Sequence, residues 1–391
     1  MTLPRLVLAY LVARPVASVL NVILVALGVA TLSALLLVMD QGRERVNRDA
    51  SPVDLVVGAK GSPLQLILSS LFHADVPTGN VSLAEAEKVA AHPMVASATP
   101  LALGDSYRGH RIVGTDPSLL ALYGASVANG RLFDDEMEAV VGSTVARRHG
   151  LSPGAKISGV HGLAEGGTAH EDHPYQVTGV LAPTGTVIDR LVLTSVDSVW
   201  HVHEHGNAAA RREITALLIR YATPLAAALL PRAINAGTPM QAASPAYETA
   251  RLFELVGVGT SVVEGFAVIL VLGGGLSLLA GLLAALQQRR RDLALMRLLG
   301  ARPGWLAGLA LGEGVTLLLA GSILGLALGH ATVEALGAWS LASGGWPLTG
   351  MAWVAGEFVL VGCVVGLGGM SCLLPAWQAY RSNPTAVLDS R

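Results

Sequence analysis

Long apolar runs alternate with polar stretches along the chain, and the lengths of the runs predict its architecture. Four runs cover residues 16–39, 255–286, 305–336 and 351–374. Each is long enough to cross a bilayer as a helix, which takes about 20 apolar residues. The region between the first two runs, residues 41–254, mixes polar and apolar positions and is large enough to bury a core of its own.

Local patterns within residues 41–254 predict short helices and short strands. Ser82 followed by Glu85 is a capping-box pattern, which marks the start of a helix. Predicted helices are residues 82–90, residues 117–123, a short helix ending at His149, and residues 223–235. Runs rich in β-branched residues predict strands at 111–114, 138–142, 156–160, 175–181, 191–194 and 215–220. The region is therefore predicted to be a mixed α/β domain.

The placement of arginines predicts how the chain is oriented. Five arginines lie between residues 289 and 302, which join the second and third runs, whereas residues 338–350 carry no charge. Cytoplasmic loops carry an excess of Lys and Arg, so the arginine loop and both termini are predicted to be cytoplasmic. The fold class is then an α-helical membrane protein with four transmembrane helices and a mixed α/β extracytoplasmic domain inserted between helices 1 and 2.

The composition of the chain is typical of a membrane protein and gives no sign of a nucleic-acid-binding or disulfide-rich protein. Charged residues make up 14% of the chain, against about 25% in an average soluble domain. The net charge of −2 gives no reason to expect a nucleic-acid partner. Both cysteines, Cys363 and Cys372, fall in the last apolar run, so no disulfide framework is predicted for the inserted domain.

The arginine loop is amphipathic. Leu293, Met296, Leu299 and Gly300 recur at helical spacing, with the charges on other faces. A short helix of this kind can lie against a cytosolic partner. The alternative is a charge cluster that only sets the orientation of the spans, and the pattern alone favours neither.

Several segments resemble motifs of one permease family. Residues 290–301 read Arg-Arg-Asp-Leu-Ala-Leu-Met-Arg-Leu-Leu-Gly-Ala, and residues 375–388 begin with Pro-Ala and contain Asn-Pro. Further motif-like segments are residues 113–117, 130–133 and 139–142. Together they resemble the ABC-transporter permeases that include MacB, the lipoprotein-release subunits LolC and LolE, and FtsX. Asp292 stands where the family usually has Glu, and Trp377 and Tyr380 stand where basic residues are common.

The resemblance implies a domain organisation and a set of partners. The implied parts are residues 1–40 (cytoplasmic N-terminus and first helix), 41–254 (MacB-like periplasmic core domain), 255–374 (helices 2–4, with a coupling loop at 287–304) and 375–391 (cytoplasmic tail). The location implied is the bacterial inner membrane. Implied partners are a separate ABC ATPase, a second permease, a periplasmic accessory protein and membrane lipids.

The resemblance also implies a function without an ATPase site in this chain. Nothing in the sequence matches Gly-x-x-x-x-Gly-Lys-Ser/Thr, the loop that cradles phosphates, so ATP is expected to bind the partner subunit. The implied ATPase-coupling residues are Arg290, Arg291, Asp292, Leu295, Met296, Arg297 and Gly300. ATP hydrolysis would then drive export or extraction of a lipoprotein, a peptide or a metal-linked molecule. The alternative is FtsX-like signalling, in which the outer domain activates a periplasmic partner and nothing is transported.

Glycines and carboxylates within the spans have two interpretations each. Small residues four apart allow close helix packing, whether between permeases or within one, and the alternative is a lipid-facing glycine-rich helix. The glycines are Gly273, Gly274, Gly275, Gly308, Gly312, Gly321, Gly325 and Gly329. Glu264, Glu313, Glu357 and His330 could form a proton relay. Their positions near the ends of the spans favour capping or snorkelling instead.

Histidines are concentrated in the inserted domain. Two clusters are His161, His170 and His173, and His201, His203 and His205. On a strand, the three residues of the second cluster would share a face, whereas on a helix only His201 and His205 would. Imidazole nitrogens bind zinc or copper, so the clusters predict a metal site, with a His-rich polar loop as the alternative. No His-Glu-x-x-His pattern is present, so a zinc hydrolase is not predicted.

Overall fold

A computed structural model describes residues 2–162, 172–203, 212–342 and 347–381. The chain divides into two compact units. The first, which we call the membrane unit, contains residues 1–42 and 256–391, and the second, which we call the inserted domain, contains residues 43–255.

Helices make up nearly all of the membrane unit and the flanks of the inserted domain. In chain order they are α1 (Leu3–Val12), α2 (Pro15–Ala50), α3 (Pro63–Ser70), α4 (Leu83–Ala90), α5 (Ser118–Leu122), α6 (Ser143–His149), α7 (Val196–His203), α8 (Ala226–Gly237), α9 (Pro245–Gln288), α10 (Arg290–Leu298), α11 (Pro303–Ala342) and α12 (Ala355–Tyr380). A short 3₁₀ helix covers Val187–Arg190.

Four helices among the described residues are long and apolar enough to cross a membrane: α2, α9, α11 and α12. Three of them begin with a proline, at Pro15, Pro245 and Pro303. Proline fits the first turn of a helix because the N–H that it lacks would have no intrahelical partner there. Both α2 and α9 extend beyond the predicted apolar runs into the sequence of the inserted domain, to Ala50 and from Pro245 respectively.

A stripe of glycines on α11 lets it approach α2 closely. A Cβ atom added to Gly325 would lie 2.6 Å from the Cβ of Val29, and one added to Gly321 would lie 2.7 Å from the Cβ of Val25. Gly329 also lies close to α2: a Cβ atom there would be 2.9 Å from Oγ of Ser33 and 3.0 Å from the carbonyl oxygen of Ala30. These three glycines therefore serve packing within one chain, and the lipid-facing interpretation is wrong for them.

The inserted domain is built on one large mixed sheet. Its strands are β1 (Leu55–Ala59), β2 (Val81–Ser82), β3 (Val95–Tyr107), β4 (His110–Thr115), β5 (Val127–Gly130), β6 (Glu138–Val141), β7 (Lys156–Ile157), β8 (Val160–His161), β9 (Tyr175–Leu181), β10 (Val192–Ser195), β11 (Glu213–Ile214), β12 (Ala216–Tyr221) and β13 (Met240–Ala243). The sheet order is β13-β1-β12-β3-β4-β10-β6-β9-β5, with β7 paired to β9 and β8 to β3, while β2 and β11 form a separate pair. Parallel pairs (β4 with β10, β6 with β9) occur beside antiparallel ones, so the mixed α/β prediction is confirmed.

Two cores hold the sheet against its helices. One joins β1, β12 and β13 to α4 and α8, and includes Leu55, Leu217 and Leu230. The other joins β4, β6, β9 and β10 to α6 and α7, and includes Val141 and Val202. The second core fixes the position of α7, which carries part of the candidate metal site described below.

Candidate functional site

The arginine loop forms a helix, α10, with an inner and an outer face. Its inner face is apolar: Leu293 is buried with Leu306 of α11 and Ala379 of α12, and Met296 packs at the edge of the same cluster. The helix ends at Leu298 because Gly300 adopts a left-handed backbone conformation with φ +95°. Sequence spacing grouped Leu299 and Gly300 with Leu293 and Met296, but both are exposed in the structure, whereas Leu293 is buried.

The outer face of α10 is exposed and combines charge with apolar area. Of the predicted coupling residues, Arg290, Arg291, Asp292, Leu295 and Gly300 are exposed, while Met296 and Arg297 are partly buried. Leu299, just past the helix, is 89% exposed. Beside it an open groove of about 440 Å³ is lined by Met296, Leu299, Gly300, Ala301, Arg302 and Trp305. This surface can receive an apolar side chain of another protein.

A buried ion pair holds the start of the arginine loop against α11. A guanidinium nitrogen of Arg289 lies 2.9 Å from a carboxylate oxygen of Glu313, and the two side chains are only 12% and 8% exposed. The guanidinium also stacks 3.7 Å from the ring centre of Tyr10. Arg289 was not among the predicted coupling residues, although it begins the arginine run.

The inserted domain brings an acidic residue and two histidines together. Asp105 lies on β3 at an irregularity in the β3–β4 pairing, between Leu103 and Ser106. Such irregularities redirect side chains. On its other edge β3 pairs with β8, where His161 lies directly opposite Asp105. The Nδ1 atom of His161 is 3.1 Å from Oδ1 of Asp105.

His203, the last residue of α7, completes this group. Val199 and Val202 of α7 are buried, and His203 lies four residues after Val199, so it shares that face of the helix and points toward the sheet. Its Nε2 atom is 3.5 Å from Oδ1 of Asp105, and its ring lies over Gly104, where a Cβ atom would be 3.0 Å from Cε1 of His203. One ligating atom from each of Asp105, His161 and His203 lies within 4.8 Å of the other two.

Electrostatics in this group follow from the buried carboxylate. The hydrogen bond with Asp105 raises the pKa of His203 above its ordinary value. Burial raises the pKa of Tyr175 well above its ordinary value, and the charge of Asp105 adds to the shift. The phenol therefore stays neutral beside a carboxylate. Two imidazole nitrogens and one carboxylate oxygen are a donor set that zinc accepts.

The predicted histidine clusters are divided differently in space. α7 is helical through His203, so the strand alternative, with three imidazoles on one face, is wrong for this cluster. His201 faces away from His203 and toward Glu136, with Nδ1 3.6 Å from a carboxylate oxygen. The rings of His173 and His201 are 5.4 Å apart. His170 and His205 lie outside the described residues.

Two of the three acidic residues considered for a proton relay have local partners among the described residues. Glu313 pairs with Arg289, as above. A carboxylate oxygen of Glu357 accepts the hydroxyl of Ser33 at 2.5 Å and lies 3.0 Å from Nε2 of His330. Glu357 also accepts the N–H of Val354 at the start of α12, which is the capping expected from its end position. The third residue, Glu264, is exposed.

Asp105 is the residue of the group that sequence reasoning missed. It lies in β3, a strand that was not predicted because its Val-Ala-Ser-Ala-Thr-Pro start has no clear alternation of apolar and polar residues. No local pattern marks Asp105, because a charged residue becomes informative through its burial, which the structure shows and the sequence does not.

Two protein-family models match this chain and show the family to which it belongs. The MacB-like periplasmic core domain matches residues 18–262, which is more than half of the chain, and the FtsX-like permease C-terminal domain matches residues 265–384. The chain is an ABC-transporter-type permease of the MacB and FtsX family. Permeases of this family generally lack an ATPase site of their own, and the family implies an ABC ATPase partner and often a dimer. The resemblance noted from the sequence is thereby confirmed.

Solved structures of parts of two other transporters are similar to this permease. The periplasmic region of MacB from Actinobacillus actinomycetemcomitans is 10% identical, with 53% of this chain and 97% of that chain covered and a TM-score of 0.37. The extracellular domain of the noncanonic ABC-type transporter YknZ from Gram-positive bacteria is 13% identical, with 48% and 98% covered and a TM-score of 0.31. A search of curated proteins gives no match to this permease.

Proposed function

We propose that this permease couples ATP hydrolysis by a separate ABC ATPase to a conformational change of the inserted domain. Its substrate would be a lipoprotein, a peptide or a metal-linked molecule, exported or extracted on the far side of the inner membrane. In this proposal α10 and both termini are cytoplasmic and the inserted domain is periplasmic. The observation that carries the proposal is the two-faced helix α10, bound to its own chain on one side and exposed on the other.

The inner face of α10 supports a mechanical connection to the spans. Leu293 is packed against α11 and α12, and the buried pair of Arg289 and Glu313 fixes the residue that precedes the helix. A force applied to the outer face would therefore move α11 and α12 as well. The exposed face, with Leu295 and the arginines, would bind the ATPase.

The far end of α2 is anchored in the inserted domain. Asp49 in its last turn is fully buried, and its Oδ1 accepts the N–H of Val187 at 2.7 Å. The backbone carbonyl of Asp49 accepts the hydroxyl of Tyr123 at 3.0 Å. An unbroken helix whose last turn is bonded in this way can transmit a displacement to the 3₁₀ helix at Val187–Arg190. A population shift of this kind requires the ATPase to bind one state of the permease better than the other.

Signalling without transport is the second candidate function. Among the described residues, polar groups of the spans pair with each other: Arg289 forms an ion pair with Glu313, and Ser33 donates a hydrogen bond to Glu357. That arrangement favours a transmission element over a polar path through the spans, and both candidates share it. They differ in what stimulates the ATPase: a substrate for a transporter, or a periplasmic protein for a signalling subunit.

The test is recovery of the ATPase with full-length permease from its native membranes. Mass spectrometry identifies an ATPase by its Gly-x-x-x-x-Gly-Lys-Ser/Thr loop. Leu295→Asp places a charge on the exposed face of α10 without disturbing a buried residue. Leu225→Asp makes the same chemical change at an exposed position of the inserted domain and is the matched control.

We expect the wild-type chain and Leu225→Asp to recover the ATPase and Leu295→Asp to lose it. Recovery of equal amounts with Leu295→Asp would contradict the role of α10. Recovery of no ATPase by any form would contradict the proposed function itself. ATP hydrolysis by the purified complex separates the two candidate functions. Stimulation by an isolated periplasmic protein alone would favour signalling. Stimulation by a lipoprotein or peptide would favour transport.

A further inference from the structure

The strongest unexplained feature of the inserted domain is the group formed by Asp105, His161 and His203. Its members come from three elements, β3, β8 and α7, which are far apart in sequence. Strand register sets Asp105 opposite His161, and the end of α7 brings in His203. Such convergence of three donor side chains is not needed to hold the sheet together, since the apolar core beneath α7 does so.

Distances within the group suit a metal ion. In a tetrahedral site with bonds of about 2.0 Å, neighbouring donor atoms are about 3.3 Å apart. The Oδ1 atom of Asp105 lies 3.1 Å from Nδ1 of His161 and 3.5 Å from Nε2 of His203. One ligating atom of each residue lies within 4.8 Å of the other two, so side-chain rotations can bring all three around one ion.

The outer hydrogen bonding of His203 is of the kind that supports a metal ligand. Its Nδ1 atom donates to the carbonyl oxygen of Val199 at 2.7 Å. A metal-ligating histidine almost always donates its other ring N–H to a carboxylate, a carbonyl or water, which fixes the ring and its tautomer. With Nδ1 so engaged, Nε2 is the nitrogen that faces Asp105. Gly104 makes room for the ring, since a Cβ atom there would touch it.

Exposure increases across the group from its buried carboxylate outward. The side chains of Asp105, His203 and His161 are 2%, 32% and 56% exposed. The carboxylate supplies negative charge from within the fold, while the side chains of the two histidines are partly exposed.

We propose that Asp105, His161 and His203 bind a zinc ion. Imidazole and carboxylate donors with approximately tetrahedral spacing favour zinc over calcium or magnesium, which prefer six or more oxygen ligands. The site makes the inserted domain a zinc-binding module, and it does not depend on the ATPase. His173 and His201 lie together elsewhere and are not part of it.

The test is zinc titration of the full-length permease in detergent after removal of metal by a chelator, with competition by a fluorescent zinc chelator as the readout. His161→Ala removes an exposed ligand, so the fold is expected to remain intact. His201→Ala removes a histidine of similar exposure outside the group and is the matched control. Asp105→Asn and Gly104→Ala test the buried ligand and the room for the ring of His203.

We expect His161→Ala to weaken the zinc affinity at this site about tenfold or more, and His201→Ala to leave it unchanged. Cobalt bound to the wild-type site should give the visible absorption of a four-coordinate ion, and His161→Ala should lose it. Calcium and magnesium should not compete. Absence of zinc binding by the wild-type chain at neutral pH would overturn the proposal. So would equal affinity of wild type and His161→Ala, because any bound zinc would then lie elsewhere.

Discussion

The packing of α11 on α2 gives a sharp prediction for one glycine. A Cβ atom at Gly325 would lie 2.6 Å from the Cβ of Val29 and 2.7 Å from the carbonyl oxygen of Ala26. Carbon atoms in van der Waals contact are about 3.5–4.0 Å apart, so Gly325→Ala must push the two helices apart by about 1 Å. No rotamer change can move either atom, because one is backbone and the position of a Cβ atom is fixed by the backbone.

The magnitude follows from two opposing contributions. Overpacking of a well-packed site costs about 1–3 kcal/mol. Replacing glycine by alanine within a helix stabilises the helix by about 1 kcal/mol, because alanine has the higher helix propensity. Gly366 of α12 provides the matched control, since a Cβ atom there meets nothing within 4 Å among the described residues. Propensity cancels between the two substitutions, so Gly325→Ala should be less stable than Gly366→Ala by about 1–3 kcal/mol.

The assay is equilibrium unfolding of the full-length permease in mixed micelles with increasing sodium dodecyl sulfate, followed by tryptophan fluorescence. We expect an unfolding transition at lower detergent fraction for Gly325→Ala than for Gly366→Ala. Gly366→Ala should unfold with wild type or after it. Equal transitions for the two alanine variants would refute the close packing of α11 on α2.

Two further predictions concern the inserted domain. Asp49→Ala leaves the N–H of Val187 without its buried acceptor, so it should destabilise this region by about 1–3 kcal/mol. We expect faster hydrogen exchange at residues 187–190 in this variant. Unchanged exchange would argue against the bond between Asp49 and Val187 as an anchor of α2. Hydrogen bonds from Arg131 and from backbone N–H groups hold the pKa of Glu138 at about 2, below an unfolded value of about 4.3. Its ionised form therefore stabilises the domain above that unfolded value, and the contribution is lost as the pH falls toward the folded one. Glu138→Gln should speed exchange at 138–141 at neutral pH, and its difference from wild type should shrink in acid; a constant difference would contradict the pairing.

Much of the membrane unit could be predicted because its signals are local. An uninterrupted apolar run specifies a span by length alone, and the arginine loop stands out from its apolar flanks. The helix α10 was predicted, but its end was not, because the left-handed Gly300 stops the helix before Leu299 joins the apolar face. The partner of the glycine stripe could not be predicted either, since it depends on which helix lies beside α11.

The candidate metal group shows why chemistry was easier to predict than geometry. His161 and His203 were both predicted as ligands, but each was grouped with its neighbours in sequence. Their meeting depends on the register of β3 with β8, a long-range pairing that no local pattern encodes. Helical residues two apart point to different sides, so His201 and His203 face different partners once α7 is a helix. Asp105 was missed because β3 lacks the alternation by which strands are recognised.

The most direct test of the coupling account is hydrogen exchange of the inserted domain in the complex of full-length permease with its co-purified ATPase, with and without a non-hydrolysable ATP analogue. Permease alone with the analogue is the control. The account predicts that nucleotide changes exchange at residues 187–190, next to the anchor of α2, only when the ATPase is bound. Identical exchange with and without nucleotide in the intact complex would contradict it.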